Sequence, residues 1–344
     1  MSAVVSFLIN NWQRFGLQRF GNPANLSTVI ATPRFRASGH LLFFVLSSGK
    51  AAPFLVVKIP RIAGDNSRLD REVANLRVIQ SSRTDGFVSI PNVLAYEDYK
   101  DNRVLVQTAL VNQPMKPTVV RGDSDGCTTR VLAWLLELHQ ATRTDHHDCE
   151  NSFSRLMAIH LDYFEATFPC TEDDLDLLAR TRDLCDGLCD PRLPLVFEHG
   201  DLSSPNILMS DSREIGVVDW ELAEPNGLPA VDLFFFLSYI AFARSNAKKN
   251  PQYLNAFKNG FFGPEAWAIP HIVSYRETLQ LAPGFLKPLF IACWSRYVVS
   301  LVTRLQEHNR TNKLCGKDVE WLRSNRYYAM WQYAVMHADE IAFG

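Results

Sequence analysis

The chain has 344 residues, 47% of them hydrophobic and 21% charged, with 35 Lys and Arg against 37 Asp and Glu for a net charge of −2. That is an ordinary globular composition, long enough for one large or two modest domains, and its charge balance excludes a strongly basic nucleic-acid binder or a polybasic membrane-surface protein. The seven cysteines (127, 149, 170, 185, 189, 293 and 315) include no Cys-x-x-Cys pair, no basic leader opens the chain, and the longest apolar run, 233–242, is too short to span a bilayer. These features predict reduced thiols, a cytoplasmic location, no membrane and no nucleic-acid partner.

Residues 1–22 read as a helix with Phe7, Leu8, Trp12 and Phe15 on one side. Strands follow at 26–31 and 41–47, joined by the basic loop Thr32-Pro-Arg-Phe-Arg-Ala-Ser-Gly-His40. A third strand covers 54–59, and the Lys58 inside it is costly to bury unless it is paired. Leu69, Val73, Leu76 and Ile79 recur at helical spacing and predict a helix over 66–80. Glu72 lies at the edge of its apolar face, within reach of a lysine on the preceding strand. A fourth strand is expected after Val93 and a fifth over 103–109, ending at Leu110-Val111-Asn112-Gln113-Pro114.

Arg130–Thr142 is an amphipathic pattern with His139 close behind its leucines, expected as a core or capping histidine. The run Asp145-His-His-Asp-Cys-Glu150 has metal-binding residue types, but consecutive side chains diverge and no second pair stands at structural-zinc spacing, so a polar loop is expected. Residues 151–190 hold nine acids and three arginines. Thr171 before Glu172-Asp173-Asp174 reads as a helix N-terminus. The other acids form either a solvated face or the lining of a pocket for a cationic substrate.

The most informative stretch is Phe197–Glu221. Two short apolar strands, 206–209 and 215–218, flank the turn Ser210-Asp-Ser-Arg213 in a hairpin pattern. Asp201, Asn206 and Asp219 sit at its open end and are expected to converge. Two carboxylates and an amide suit Mg²⁺ held together with substrate phosphates. Phosphoryl transfer needs a base for the attacking hydroxyl and an Asn and an Asp on the metal, and this spacing supplies all three.

The compound pattern His199-Gly200-Asp201, Asn206 and Asp219-Trp220-Glu221 resembles the catalytic loop and metal motif of the aminoglycoside phosphotransferase and choline kinase family, which shares the protein-kinase-like fold. The resemblance implies an α+β, bilobal architecture. Residues 1–111 would form a small antiparallel-sheet N-lobe with an N-terminal helix, and residues 112–344 a large, mainly helical catalytic and acceptor-binding lobe. It implies ATP and Mg²⁺ as cofactors. Asp201 would be the catalytic residue, and Asn206, Asp219 and Glu221 the metal residues. Lys58, held by Glu72, would contact the nucleotide phosphates under a loop containing Ser38 and Gly39, and backbone groups of Thr108 and Leu110 would meet the adenine. His199 and Asp232 would support the catalytic loop. The phosphate loop departs from the protein-kinase pattern in having Gly39 as its one glycine.

Only twelve residues separate Asp219 from Asp232, which leaves no room for a peptide-holding activation segment, and Gly200 replaces the arginine that would receive an activation-loop phosphate. Both departures point to a small acceptor. From Glu221 onward the chain has thirteen Lys and Arg against ten Asp and Glu, which weighs against a polycationic aminoglycoside, and Arg276, Arg296 and Arg304 could receive an anionic or sugar-phosphate acceptor. The expected function is ATP-dependent transfer of a phosphoryl group to a hydroxyl of a small molecule: a sugar, an amino alcohol or a related metabolite. An aminoglycoside antibiotic kinase is the alternative within the fold. A nucleotide-binding pseudokinase or scaffold is the alternative outside catalysis, and the complete set Lys58, Glu72, Asp201, Asn206 and Asp219 speaks against it.

Overall fold

The computed structural model describes residues 3–23, 25–32, 39–210, 214–309 and 313–343. The chain divides into two compact units, Met1–Pro114 with Pro205–Ala223, and Met115–Ser204 with Glu224–Gly344.

The first unit opens with helix α1 (Ala3–Asn10) and is built on strands β1 (Leu26–Ala31), β2 (His40–Ser47) and β3 (Leu55–Pro60), helix α2 (Ser67–Ser81), and strands β4 (Val93–Tyr99) and β5 (Asn102–Thr108). The sheet is antiparallel throughout, in the order β1-β2-β3-β5-β4. Alternation along each strand sorts its two faces. Phe43, Val45, Leu55, Val57, Val104 and Val106 form one core with Val4, Phe7, Leu8, Trp12 and Phe15. On the other face Leu105 packs with Leu69 and Val73 of α2. Lys58 follows Val57 and is the register partner of Leu105, so it falls on the α2 face. The helix expected over residues 1–22 stops at Asn10, and Leu17–Phe20 is a short 3₁₀ turn. Asn11 turns its side chain back to the Phe7 carbonyl at 2.9 Å, and Gly16 adopts a left-handed φ of 65°, which ends helical geometry. Trp12 and Phe15 are nevertheless buried. The hairpin strands Ile207–Met209 and Ile215–Val217 pair as expected, and the first of them also pairs with Gln113–Pro114.

The second unit is mainly helical. Its helix Ser124–Thr142 begins six residues before the expected start because the Asp123 carboxylate caps it, accepting from the Gly126 N–H at 3.0 Å. Thr171 and Asp174 form a reciprocal capping box for Glu172–Cys185. Part of the acid excess is thereby used, and Asp162 and Glu165 pair with Arg182 at 3.0 and 2.6 Å. In the polar run 145–150, Asp148 caps the next helix through the Asn151 N–H. The core lies around Phe290, whose ring meets those of Phe234, Phe257, Phe261, Trp294 and Phe343 at 5.0–5.7 Å. Among the described residues one helical stretch, Pro283–Glu307, is long and apolar enough to cross a membrane, and 72% of its most apolar window is buried against the protein.

Phe290 is fully buried, whereas Trp321 is 40% exposed. Phe290→Ala is expected to lower unfolding free energy by about 3–5 kcal/mol and Trp321→Ala by roughly 0.5 kcal/mol or less, measured by urea denaturation.

Candidate active site

The first unit gathers most of the residues singled out for nucleotide and metal. Lys58 Nζ lies 2.5 and 2.8 Å from the two carboxylate oxygens of Glu72, with both side chains buried. The same ammonium is 3.7 Å from Asp219. Burial alone would lower the Lys58 pKa, but the carboxylates of Glu72 and Asp219 outweigh it and hold the lysine above its ordinary value. Lys58 is therefore a cation at neutral pH.

Asp219 follows the second hairpin strand, and Val218 N–H donates to the Asn206 carbonyl at 3.0 Å, so Asn206 and Asp219 stand at neighbouring ends of the hairpin. Asp219 has φ of 72°, a left-handed conformation unusual for a residue with a side chain. The surrounding contacts impose it. Asn75 of α2 donates to the carbonyls of Trp220 and Ala223 at 2.9 and 3.0 Å, and Trp220 Nε1 donates to the Val217 carbonyl at 3.1 Å.

Glu221 turns to a different set of partners, Arg68 at 3.4 Å and His40 at 3.6 Å. Burial, then the charge of Asp219, pushes its carboxyl up to about 7. Burial and the Lys58 charge lower His40 to about 4, so its ring is neutral at pH 7. Arg68 was not singled out from sequence, and His40 only as the last residue of the basic loop. The signal for Arg68 was its place four residues before Glu72, on the same side of α2. Gly39 adjoins Arg68, since a Cβ there would meet Arg68 Cδ at 3.1 Å; Ser38 lies outside the described residues. In the connector, Thr108 N–H donates to the Asn92 carbonyl and Ala109 N–H to the Phe54 carbonyl. Among the described residues the N–H groups of Leu110 and Val111 have no backbone acceptor.

The second unit holds His199, Gly200, Asp201 and Asp232, read from sequence as a catalytic loop and its support. Gly200 adopts φ of 78° between His199 and Asp201, a conformation open to glycine at little cost. Asp232, in the first turn of the buried helix Val231–Arg244, accepts from the His199 N–H at 2.6 Å and the Gly200 N–H at 3.0 Å. His199 Nδ1 accepts from the Asp201 N–H at 3.2 Å. The Asp232 carboxyl is pushed up to about 8, by burial first and then by the neighbouring Glu198.

Glu198 has its own counter-charge, because Arg296 reaches both of its oxygens at 3.0 and 2.8 Å. Glu198 also accepts from the Leu228 N–H at 3.1 Å, and a Cβ on Gly227 would strike it at 2.4 Å, so the backbone must come this close. Arg296, one of three arginines read as available to an acceptor, is thus committed to Glu198. Behind the loop, the Tyr275 hydroxyl accepts from the Ala230 N–H at 2.9 Å and meets His139 Nδ1 at 2.6 Å. His139 is the fully buried core histidine expected, and burial lowers its pKa to about 3.

Three phenols cluster in this unit. Tyr327 donates to the Tyr239 hydroxyl at 3.1 Å, and the rings of Tyr297 and Tyr327 are 4.4 Å apart. Burial raises the pKa of each, and the Asp201 charge adds to the rise in all three.

A five-stranded antiparallel sheet followed by a mainly helical remainder, with these motifs in this order, defines the kinase-like fold. The sequence profile of the Phosphotransferase enzyme family (APH) matches residues 36–269, and the chain belongs to that family. No curated protein sequence matches it. Its fold is similar to that of Plasmodium vivax ethanolamine kinase (TM-score 0.54, 12% identity, covering 91% of this chain and 83% of that one). It is equally similar to choline kinase LicA from Streptococcus pneumoniae (TM-score 0.54, 12% identity, 96% and 99%). Aminoglycoside phosphotransferase APH(4)-Ia, solved with ADP and hygromycin B, has a TM-score of 0.52 at 13% identity, covering 94% and 98%. At these identities the likeness establishes the fold.

Arg296→Met would strand Glu198 beside Asp232 without a cation. A loss of about 3–5 kcal/mol in unfolding free energy is expected, with much of it regained in the double variant Glu198→Gln, Arg296→Met. For His139, an unfolded pKa of 6.5 and a folded value of about 3 mean that only the unfolded state gains a proton as pH falls through that window. Stability should therefore drop by about 1.4 kcal/mol per pH unit below 6.5 from this residue alone. His139→Gln, weaker at neutral pH, should show a shallower decline in urea titrations between about pH 6.5 and 4.5.

Proposed function

We propose that the protein transfers the γ-phosphoryl group of ATP to a hydroxyl of a small molecule. The observation that carries this reading is the buried Lys58–Glu72 ion pair with Asp219 3.7 Å from the same ammonium. A buried lysine between two carboxylates is oriented and permanently charged, as a phosphate ligand must be.

On this reading Lys58 binds the nucleotide phosphates, Glu72 fixes its position, and the N–H of Leu110 meets the base. The amide oxygen of Asn206 and the carboxylate of Asp219 are hard donors, and the Asp219 side chain is 42% exposed, so this pair fits Mg²⁺. When bound, that ion neutralises negative charge on the phosphates. Glu221, grouped with the metal residues from sequence, instead orders Arg68 and His40 beside Gly39. The nucleotide lobe corresponds to residues 1–111 with the hairpin packed onto it, and the acceptor lobe to the rest of 112–344.

Asp201 accepts the proton of the acceptor hydroxyl as that oxygen bonds to the γ-phosphorus. The bond from the γ-phosphorus to the bridging oxygen breaks, and ADP leaves with the electron pair. Asp232 holds the two N–H groups preceding Asp201, so the base is presented without a search of backbone conformations. The absence of room for an activation segment and the ethanolamine, choline and aminoglycoside kinases among its structural relatives support a small-molecule acceptor.

Asp201→Ala should reduce phosphoryl transfer by about a hundredfold or more while MgATP still raises the melting temperature. Near-native turnover in that variant would sink the assignment. ATP consumption against pooled hydroxyl acceptors, with products read by mass, measures it.

A further inference from the structure

Arg296 and Arg326 both lie on helices of the second unit, yet their surroundings differ in kind. Arg296 is neutralised by Glu198. The Arg326 guanidinium is enclosed by rings, with its carbon 4.5 Å from the centroid of Tyr253, 4.7 Å from Tyr327, 5.3 Å from Phe242 and 5.9 Å from Tyr239. One N–H goes to the Tyr327 hydroxyl at 3.0 Å. Among the described residues no carboxylate stands within ion-pair distance of it. A guanidinium has five N–H donors in a planar fork, and ring faces leave the edge of that fork unmatched. Cation–π contacts hold the group in place but do not cancel its charge. The fork's complement is a carboxylate or a phosphate.

The position of this fork gives it a purpose. Asp232, which anchors the loop before Asp201, and Tyr239 are seven residues apart on Val231–Arg244 and share one side of that helix. Arg296, which holds Glu198, is followed directly by Tyr297 on Leu286–Asn309. These two helices therefore carry both the groups that brace the loop before Asp201 and the phenols Tyr239 and Tyr297, and Tyr327 links those phenols to Arg326. Arg304 adds a second guanidinium 5.7 Å from the Tyr297 ring. With Arg326 and Arg304 already against the rings, the aromatic surface is taken by the protein's own cations.

We propose that the acceptor carries an acidic group, a carboxylate or a phosphate, which Arg326 binds while the tyrosine hydroxyls lie along the path to the alcohol presented to Asp201. The proposal rests on the phosphotransferase reading and adds the charge class of its substrate. It separates this chain from kinases of amino alcohols and aminoglycosides, whose acceptors are cations and would be repelled by the Arg326 guanidinium.

The test uses the full chain with MgATP and matched acceptors that differ in charge: glycerate, glycerol and serinol; gluconate, glucose and glucosamine; and glycerol phosphate for the phosphate arm. Phosphorylated products are read by mass and MgATP binding by thermal shift. Phosphorylation of acid members in preference to their neutral and amino counterparts is expected, and the carboxylate and phosphate arms tell which acid is taken. Arg326→Gln should raise KM for the acidic acceptor by about tenfold or more with a smaller change in kcat, and Arg326→Lys should fall between it and the parent. The wild-type preference is read independently of how well either variant folds. Preference for a neutral or amino member, an unchanged KM in Arg326→Gln, or no acid phosphorylated by a protein that binds MgATP would overturn the proposal while leaving the phosphotransferase reading in place. Failure to bind MgATP would remove that reading itself.

Discussion

A carboxylate that receives two consecutive backbone N–H groups fixes the shape of the loop before Asp201, and the second unit is arranged to let Asp232 do so. Donors at His199 and Gly200 favour its ionised form, while burial and Glu198 disfavour it. The conflict is contained by Arg296, which takes the charge of Glu198 and so keeps a second unpaired negative charge away from Asp232. Gly200 and Gly227 are the backbone concessions to this arrangement: one turns the loop left-handed, the other lets the chain approach Glu198. A buried triad of this kind stabilises little by itself, but it permits few alternative loop conformations.

The first unit solves a similar problem on a strand. Period-two alternation delivers Lys58 to the face opposite the apolar core, and α2 supplies Glu72 where that side chain arrives. The ion pair and the Asn75 bonds to Trp220 and Ala223 tie strand, helix and hairpin together, so the carboxylate of Asp219 is positioned by contacts from three segments.

Much of this was legible in the chain before any coordinates. The bounds of β1 follow from its apolar run, and the Lys58–Glu72 pair follows from the cost of burying a lone lysine next to an amphipathic helix with an acid on its edge. The supporting role of Asp232 was legible only through the family resemblance, since position before a long apolar helix by itself implies no more than an N-cap. What stayed hidden depends on partners far apart in sequence. Arg68 meets Glu221 across 153 residues and Arg296 meets Glu198 across 98, and no local period encodes either. Counting arginines after Glu221 finds a positive excess but cannot say which guanidinium is neutralised, so it names Arg276, Arg296 and Arg304 alike and passes over Arg326. The N-terminal helix was overextended because apolar spacing persists through Trp12 and Phe15 while the backbone has already turned.

The left-handed conformation of Asp219 carries a consequence for how this chain can vary. At φ of 72° an L-residue is strained by on the order of 1 kcal/mol, and glycine is not. The chain would shed backbone strain by giving up the carboxylate, so a search for thermostable variants at random would be drawn to glycine at 219 and would discard the side chain proposed to hold the metal. Stability and chemistry pull this one residue in opposite directions.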